Sequence, residues 1–408
     1  MARLGRRFGY LLTASAISNL GDGFMGAAFP LLVATLTRDP VLVAGATLAG
    51  RLPWLLFAVP SGALVDRMDR RRVMVTTNLV RATLVGVLTW TIATGNVSLL
   101  LVYGVAFALG TAETFFDTSS EALVPLIVER DLLPNANARF QLFEWAGNAF
   151  IGPPLGAALF AAAAALPFGL NAGSFAIAAG FIALVTVAQR PRQPRTGASL
   201  RTEVLEGLTW LWRQPVLRTL ALMAGVTNLV TFGIIAIFVL FAQDVLGLEE
   251  AGYGILLATL GVGGLVGASF AAKVVAKVGP GVAAQATVVI GSILNGILGT
   301  TSNPWVAGTV LFTYGLSITL WNVVSVSLRQ SITPDELRGR VAGASRLVTW
   351  GAQPVGAALG GVAAAWFGLR APFFVAAVGL LATFLLTVRL VNNETITAAK
   401  EQGERRAP

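Results

Sequence analysis

Six ionisable side chains interrupt otherwise apolar stretches of this 408-residue chain: Asp22, Arg51, Arg81, Glu113, Asp117 and Glu144. At the centre of a bilayer such a group costs at least about 2.5–3.5 kcal/mol, so each is a functional candidate. Asp22 stands with Ser15 and Asn19 at helical spacing, one polar stripe on an apolar helix. Glu113 and Asp117 are four residues apart and share a helix face, which Glu121 continues. The chain has no histidine and no cysteine. That excludes the imidazole proton shuttle, thiol catalysis, disulfides and thiolate metal sites, and no metal or cofactor site is expected. Proton chemistry therefore falls to carboxylates. Burial favours a protonated carboxylate and a nearby guanidinium an ionised one, so an arginine that moves with conformation couples proton affinity to access. Asp22 ranks first as a proton-coupling residue, followed by Glu113 and Asp117. Arg51, Arg81 and Glu144 complete a charge network whose alternative role is static and structural.

The elements that must hold these groups are membrane helices. The chain is 55% apolar and 12% charged, with mean hydropathy +0.74, against about 25% charged residues in a soluble domain. Stretches near the ~20 residues needed to cross a bilayer recur twelve times. The predicted spans are 8–35, 41–64, 73–94, 98–120, 139–162 and 167–188, then 216–242, 252–275, 281–301, 304–330, 341–366 and 371–390. Arginine-rich loops alternate with nearly bare ones, so the net charge of +9 reflects the positive-inside rule rather than nucleic-acid binding. The alternation places both termini in the cytoplasm of a bacterial cell, in its inner membrane. Met1 to Arg7 reads as the start of a retained first helix. Domain boundaries follow: an N-terminal six-helix bundle (1–188), a cytoplasmic linker carrying an amphipathic helix from Leu200 to Trp212 (189–215), a C-terminal six-helix bundle (216–391) and a polar, mobile tail (392–408).

The halves repeat. Pro154-Leu-Gly156-Ala-Ala-Leu159 matches Pro354-Val-Gly356-Ala-Ala-Leu359, and Asn19-Leu20 matches Asn228-Leu229. Arg139 and Arg340 open the fifth helix of their halves, with Pro125 and Pro334 in the preceding loops. The repeat sets Thr231 against Asp22, so a polar position is shared while the carboxylate is not. Duplicated bundles of this kind enclose a cavity between them and work by rocking. Asn19, Asn228, Thr231, Tyr314, Trp321 and Asn322 are the candidates for lining it.

The loop after the second segment runs Gly62-Ala-Leu64-Val-Asp66-Arg67-Met-Asp69-Arg70-Arg71. It resembles the signature loop of the major facilitator superfamily, with Asp69 in place of the second glycine. The resemblance implies a cytoplasmic gate built from Gly62, Asp66, Arg67, Arg70 and Arg71, with Glu121 as a partner. Gly152-Pro153-Pro154-Leu-Gly156 resembles the superfamily's antiporter motif; physically, small residues allow close helix approach and prolines kink. The arginine motif of many drug–proton antiporters is absent from the fourth segment. Gly110-Thr-Ala-Glu113, Glu206-Gly-Leu-Thr-Trp210 and Thr333-Pro-Asp335-Glu336-Leu-Arg338 are similar to the branch holding macrolide-efflux and enterobactin-type exporters. The resemblance implies an all-α fold of twelve transmembrane helices in two pseudo-repeats. It also implies a monomer that exports a small amphipathic or hydrophobic compound in exchange for protons, without enzyme activity. Export or import of a siderophore or metabolite is the alternative within transport; a membrane sensor on the same fold is the alternative outside it.

Overall fold

Proline and apolar length set the helices. The computed structural model describes residues 5–65, 67–186, 200–334 and 337–406, so Asp66, Asp335 and Glu336 lie outside the described residues. The first six passes are α1 (Gly5–Leu36), α2 (Pro40–Val65), α3 (Arg70–Ala93), α4 (Leu99–Ile127), the broken pair α5 (Leu133–Trp145) and α6 (Gly152–Ala162), and α7 (Leu166–Ala183). The second six are α9 (Pro215–Ile235), extended by the short α10 (Phe238–Leu240), then α11 (Glu250–Val278), α12 (Pro280–Thr300), α13 (Pro304–Ile332), α14 (Arg338–Phe367) and α15 (Ala371–Thr387). Two helices lie outside the passes, α8 (Leu200–Arg213) and α16 (Asn393–Arg406). Several helices open on proline within their first two positions, where the missing N–H leaves no ladder bond unmade. Among the described residues nine helices are long and apolar enough to span a membrane. The α5–α6 pair, the arginine-bearing α14 and the shorter α15 complete twelve passes.

Three expectations change. Pro125 lies inside α4, not in a loop. The fifth pass is not one α-helix: residues Ala146–Ile151 form a π-helix between α5 and α6. The tail is not a loose end. It forms α16, whose Ile396 is 1% exposed and which follows Val391 at 0%. The Asn393 carboxamide accepts from the Gly281 and Val282 amides at 2.9 and 3.4 Å and donates to the Val278 carbonyl at 3.0 Å. That cap satisfies the orphan amides at the start of α12. Gly279 there has φ +86°, and a Cβ would sit 2.2 Å from the Asn393 amide nitrogen, so glycine is required.

Contacts group the chain into two compact units, residues 1–194 with 242–261 and residues 195–241 with 262–408. In the first, Phe8, Leu11, Met74, Leu123, Ala178 and Ile182 form one core. The N-terminal part of α11 packs on the fifth pass: a Cβ on Gly254 would meet that of Ala157 at 2.4 Å, and one on Gly261 the Ala149 carbonyl at 2.2 Å. Arg38, after α1, donates to Gln243 and pairs with Asp244. In the second unit, Leu211, Leu217, Leu220, Met223, Leu328 and Ile396 share a core that includes both α8 and α16. The amphipathic linker helix is thus seated on α14, with Gly207 against the Arg340 backbone and Arg340 paired to Glu206 at 2.7 Å.

Candidate functional site

The first unit gathers most of the ionisable candidates. α1 presents Asp22, half-buried, with Ser18 Oγ donating to its Oδ2 at 3.5 Å. α4 presents Glu113 and Asp117 on one face. α3 presents Arg81, 4% exposed, and α5 presents Glu144. Asp22 interacts electrostatically with Arg81 and Glu113, and Asp117 with Glu113, Arg81, Glu144 and Asp22. Glu144 also interacts with Glu121, the residue assigned from sequence to the gate. Five carboxylates therefore form a chain of mutual interactions, and Arg81 acts on both Asp22 and Asp117. Arg51 lies half-buried on α2, the neighbour of α4. Arg81 lies over two rings, Phe116 of α4 at 5.3 Å and Phe175 of α7 at 5.0 Å, a cation–π arrangement.

Amides that sequence reasoning passed over surround this cluster. Asn78, one turn from Arg81 on α3, is fully buried, and neither side-chain polar atom has a hydrogen-bond partner among the described residues. Asn171 of α7 lies against Gly21, where a Cβ would sit 2.1 Å from its Oδ1. Its carboxamide nitrogen and Arg81 Nε are also without partners among the described residues. Polar residues at helical spacing along α3 and α7 were the available signal.

Asn19 and Asn228 occupy matching places in the two halves. Asn19 donates to the Ser15 carbonyl and hydroxyl and accepts from Asn148 Nδ2 at 2.8 Å. Asn228 donates to the Ala224 carbonyl and accepts from Gln353 Nε2 at 3.3 Å. In each half an amide of the fifth pass holds the first pass, but from a different register: Asn148 is eight residues before Gly156, Gln353 three before Gly356. Asn148 lies in the π-helix. The glycines bring the same pairs of helices together. A Cβ on Gly152 would reach the Gly23 Cα at 2.4 Å, and one on Gly156 the Phe24 carbonyl at 2.3 Å. One on Gly356 would reach the Leu229 carbonyl at 2.0 Å. Pro153 is buried and Pro154 half-buried beside them.

At the signature loop, Asp69 is the N-cap of α3, accepting from the Arg72 amide at 3.1 Å, and Arg71 donates to the Ala183 carbonyl at the end of α7. Gly62 lies in the last turn of α2, and none of the described residues comes within 4 Å of a Cβ added there. Arg67 and Arg70 are both engaged.

In the second unit Thr231 exchanges a hydrogen bond with Tyr314 at 3.1 Å. Asn228, Trp321 and Asn322 line a cavity of about 210 Å³, whereas Thr231 and Tyr314 do not. Arg329 and Arg346, neither singled out from sequence, line it as well. Arg346 lies within a predicted span, so the rule that flagged Asp22 applied equally to it.

Twelve passes in two repeats, with interacting carboxylates gathered in the first, define a transporter of the major facilitator type. The chain belongs to the transmembrane secretion effector family, whose model matches residues 4–405. It is 28% identical over 408 residues to the multidrug efflux pump Tap of Mycolicibacterium fortuitum, covering 93% of this chain and 95% of that one. It is 27% identical over 371 residues to the enterobactin exporter EntS of Salmonella typhimurium, covering 88% and 86%. The fold matches the nucleoside transporter NupG with TM-score 0.76 at 10% identity, covering 94% and 100% of the two chains. A bacterial homologue of the iron transporter ferroportin matches with TM-score 0.74 at 17% identity, covering 95% and 99%. The chain is therefore a multi-pass membrane transporter of an efflux family, acting on a small molecule, and not an enzyme.

Proposed function

We propose that this transporter exports a small amphipathic compound in exchange for protons, by alternating access, with Asp22 as the proton-binding residue and Glu113 and Asp117 sharing its load. The observation that carries the reading is the cluster of mutually repelling carboxylates gathered around Arg81. Carboxylates that act on one another within an apolar bundle have an electrostatic reason to share a proton, and Arg81 competes with that proton for Asp22. Export direction is supported by the relatives named as an efflux pump and an exporter. Proton movement and substrate movement then exclude one another through one charge balance. On this reading both termini face the cytoplasm of the inner membrane, the protein works as a monomer, the signature loop from Gly62 to Arg71 gates the cytoplasmic side, and the bundles 1–188 and 216–391 are the moving halves. A siderophore cargo is a second reading, favoured by the similarity to EntS.

The test is uptake into inverted vesicles, whose outer face is the cytoplasmic one, energised by a pH gradient, across a panel of drugs and siderophores; uptake there is export in the cell. Wild type should export at least one compound and lose this with a protonophore. Asp22→Asn should reduce gradient-driven export by an order of magnitude or more and leave downhill efflux intact. Unchanged gradient-driven export in that variant would remove Asp22 from the mechanism.

A further inference from the structure

Three arginines stand at one end of the second unit, and each follows or opens an exposed apolar strip. On α15, Val375, Val378, Leu381 and Leu385 recur every three or four residues and are all exposed. Arg389, exposed as well, continues that row two residues past the helix. On α9, the half-buried Arg218 lies one turn before the exposed Leu222. Arg213 ends α8 and is exposed. The buried side of α8 is Gly207 and Leu211, whereas Leu205 and Trp212, seven residues apart and so on one face, stay exposed. Arg218 donates to the Trp212 carbonyl at 3.5 Å, which joins α8 and α9 at this corner. α9 and α15 pack together, and Leu217, Leu220 and Val391 share one core, so Arg389 belongs to the same end. Among the described residues none of these three arginines is in an ion pair. Glu206 of α8 is taken by Arg340. Glu394, in the first turn of α16, sets one negative charge near three positive ones.

We propose that this corner binds an anionic phospholipid: Arg213, Arg218 and Arg389 take the headgroup phosphate, Trp212 lies at headgroup level, and the acyl chains run beside Leu222 and Leu385. An exposed aliphatic row on a membrane pass faces acyl chains, and a long cationic side chain at its end carries its head to the interface. Guanidiniums meet a phosphate with paired, charge-assisted hydrogen bonds, and an anionic headgroup offsets the mutual repulsion of three cations where a zwitterionic one does so less. The committed occupant is a lipid rather than a soluble phosphate, because the apolar rows give a soluble anion nothing to bind. Export plays no part in the inference. Only the choice of the cytoplasmic leaflet rests on the orientation proposed above.

The experiment is native mass spectrometry of the full chain in neutral detergent, titrated with dioleoylphosphatidylglycerol or dioleoylphosphatidylcholine. These lipids share acyl chains and phosphate and differ in net charge. The first phosphatidylglycerol should bind about tenfold or more tighter than the first phosphatidylcholine. Arg213→Gln, Arg218→Gln and Arg389→Gln should each weaken it about fivefold and leave phosphatidylcholine unchanged. Arg213→Gln and Arg389→Gln alter exposed side chains, so they carry the test if Arg218→Gln, which loses the Trp212 contact, does not fold. Arg6, Arg7 and Arg139 of the first unit are exposed too, and a variant with glutamine at all three should keep the preference. Equal binding of the two lipids by the wild-type chain would overturn the proposal. So would an equal loss in the first-unit control, which would assign the preference to surface charge at large. Displacement of phosphatidylglycerol by an equal concentration of glycerol phosphate would assign the arginines to a soluble anion and overturn it as well.

Discussion

Asp69 stands where the superfamily's loop has a glycine, and it turns that place into a helix cap. Its backbone is extended, at φ −75° and ψ 110°, and its carboxylate holds the Arg72 amide. Asp69→Ala should lower stability by about 1 kcal/mol and Asp69→Gly by a few tenths, readable as melting temperatures in detergent; equal losses would deny the cap. Arg81 makes a sharper case. Arg81→Gln removes the cation from a crowd of carboxylates, so gradient-driven export should fall at least tenfold and its pH dependence should shift. Arg81→Lys keeps the charge but gives up the planar contact with Phe116 and Phe175, and should fall in between. If both variants behave like wild type, Arg81 is only packing. Asp22, Glu113 and Asp117 were legible in the sequence because a carboxylate in an apolar segment has few reasons to be there. Asn78 and Asn171 were not, because an amide costs far less in a helix and its meaning depends on what faces it. That Arg81 acts on Asp22 depended on which helices pack, which no local pattern states.

Helix pairs in both halves close through glycine, and those contacts can be overfilled. Gly156→Val and Gly356→Val would each drive a side chain into a backbone carbonyl of the facing helix, at a cost of about 1–3 kcal/mol. Gly104→Val, with nothing within 4 Å of its Cβ position, should be neutral. Thermal unfolding of the three variants should separate them in that order; a Gly104 variant as damaged as the others would refute the packing account. At the other end of the chain, Asn393→Ala removes the shared acceptor of two α12 amides. It should speed amide exchange at Gly281 and Val282 while leaving α13 protected. Helix positions were well legible, since long apolar runs and opening prolines mark them. The docking of α16 was less so, although Ile396 and Ala399 stand at helical spacing and, with Val391 before the helix, could have been read as a seat. The π-helix was invisible, because its cause is hydrogen-bond register rather than composition.

At the scale of the molecule, orientation is open to direct measurement, helped by a chain without cysteine. A single cysteine at the exposed Asn96 should react with an impermeant maleimide in intact cells, and one at the exposed Thr397 only after permeabilisation. The reverse pattern would invert the proposed topology. The duplication was legible from matched glycines and asparagines, but the division of labour between halves is clearer in three dimensions: the first gathers carboxylates, the second a cavity with two arginines. The π-helix at Ala146–Ile151 also makes the fifth pass tolerant in residue count. A π turn closes i→i+5 where an α turn closes i→i+4, so losing one residue there would let the ladder relax to α geometry and leave the helix beyond it nearly in phase. Gly152 and Gly156 would keep their faces toward α1, and the contact at stake is the local one from Asn148 to Asn19. A chain one codon shorter in this stretch would align almost without a mark and close along the same seam, with a different group opposite Asn19.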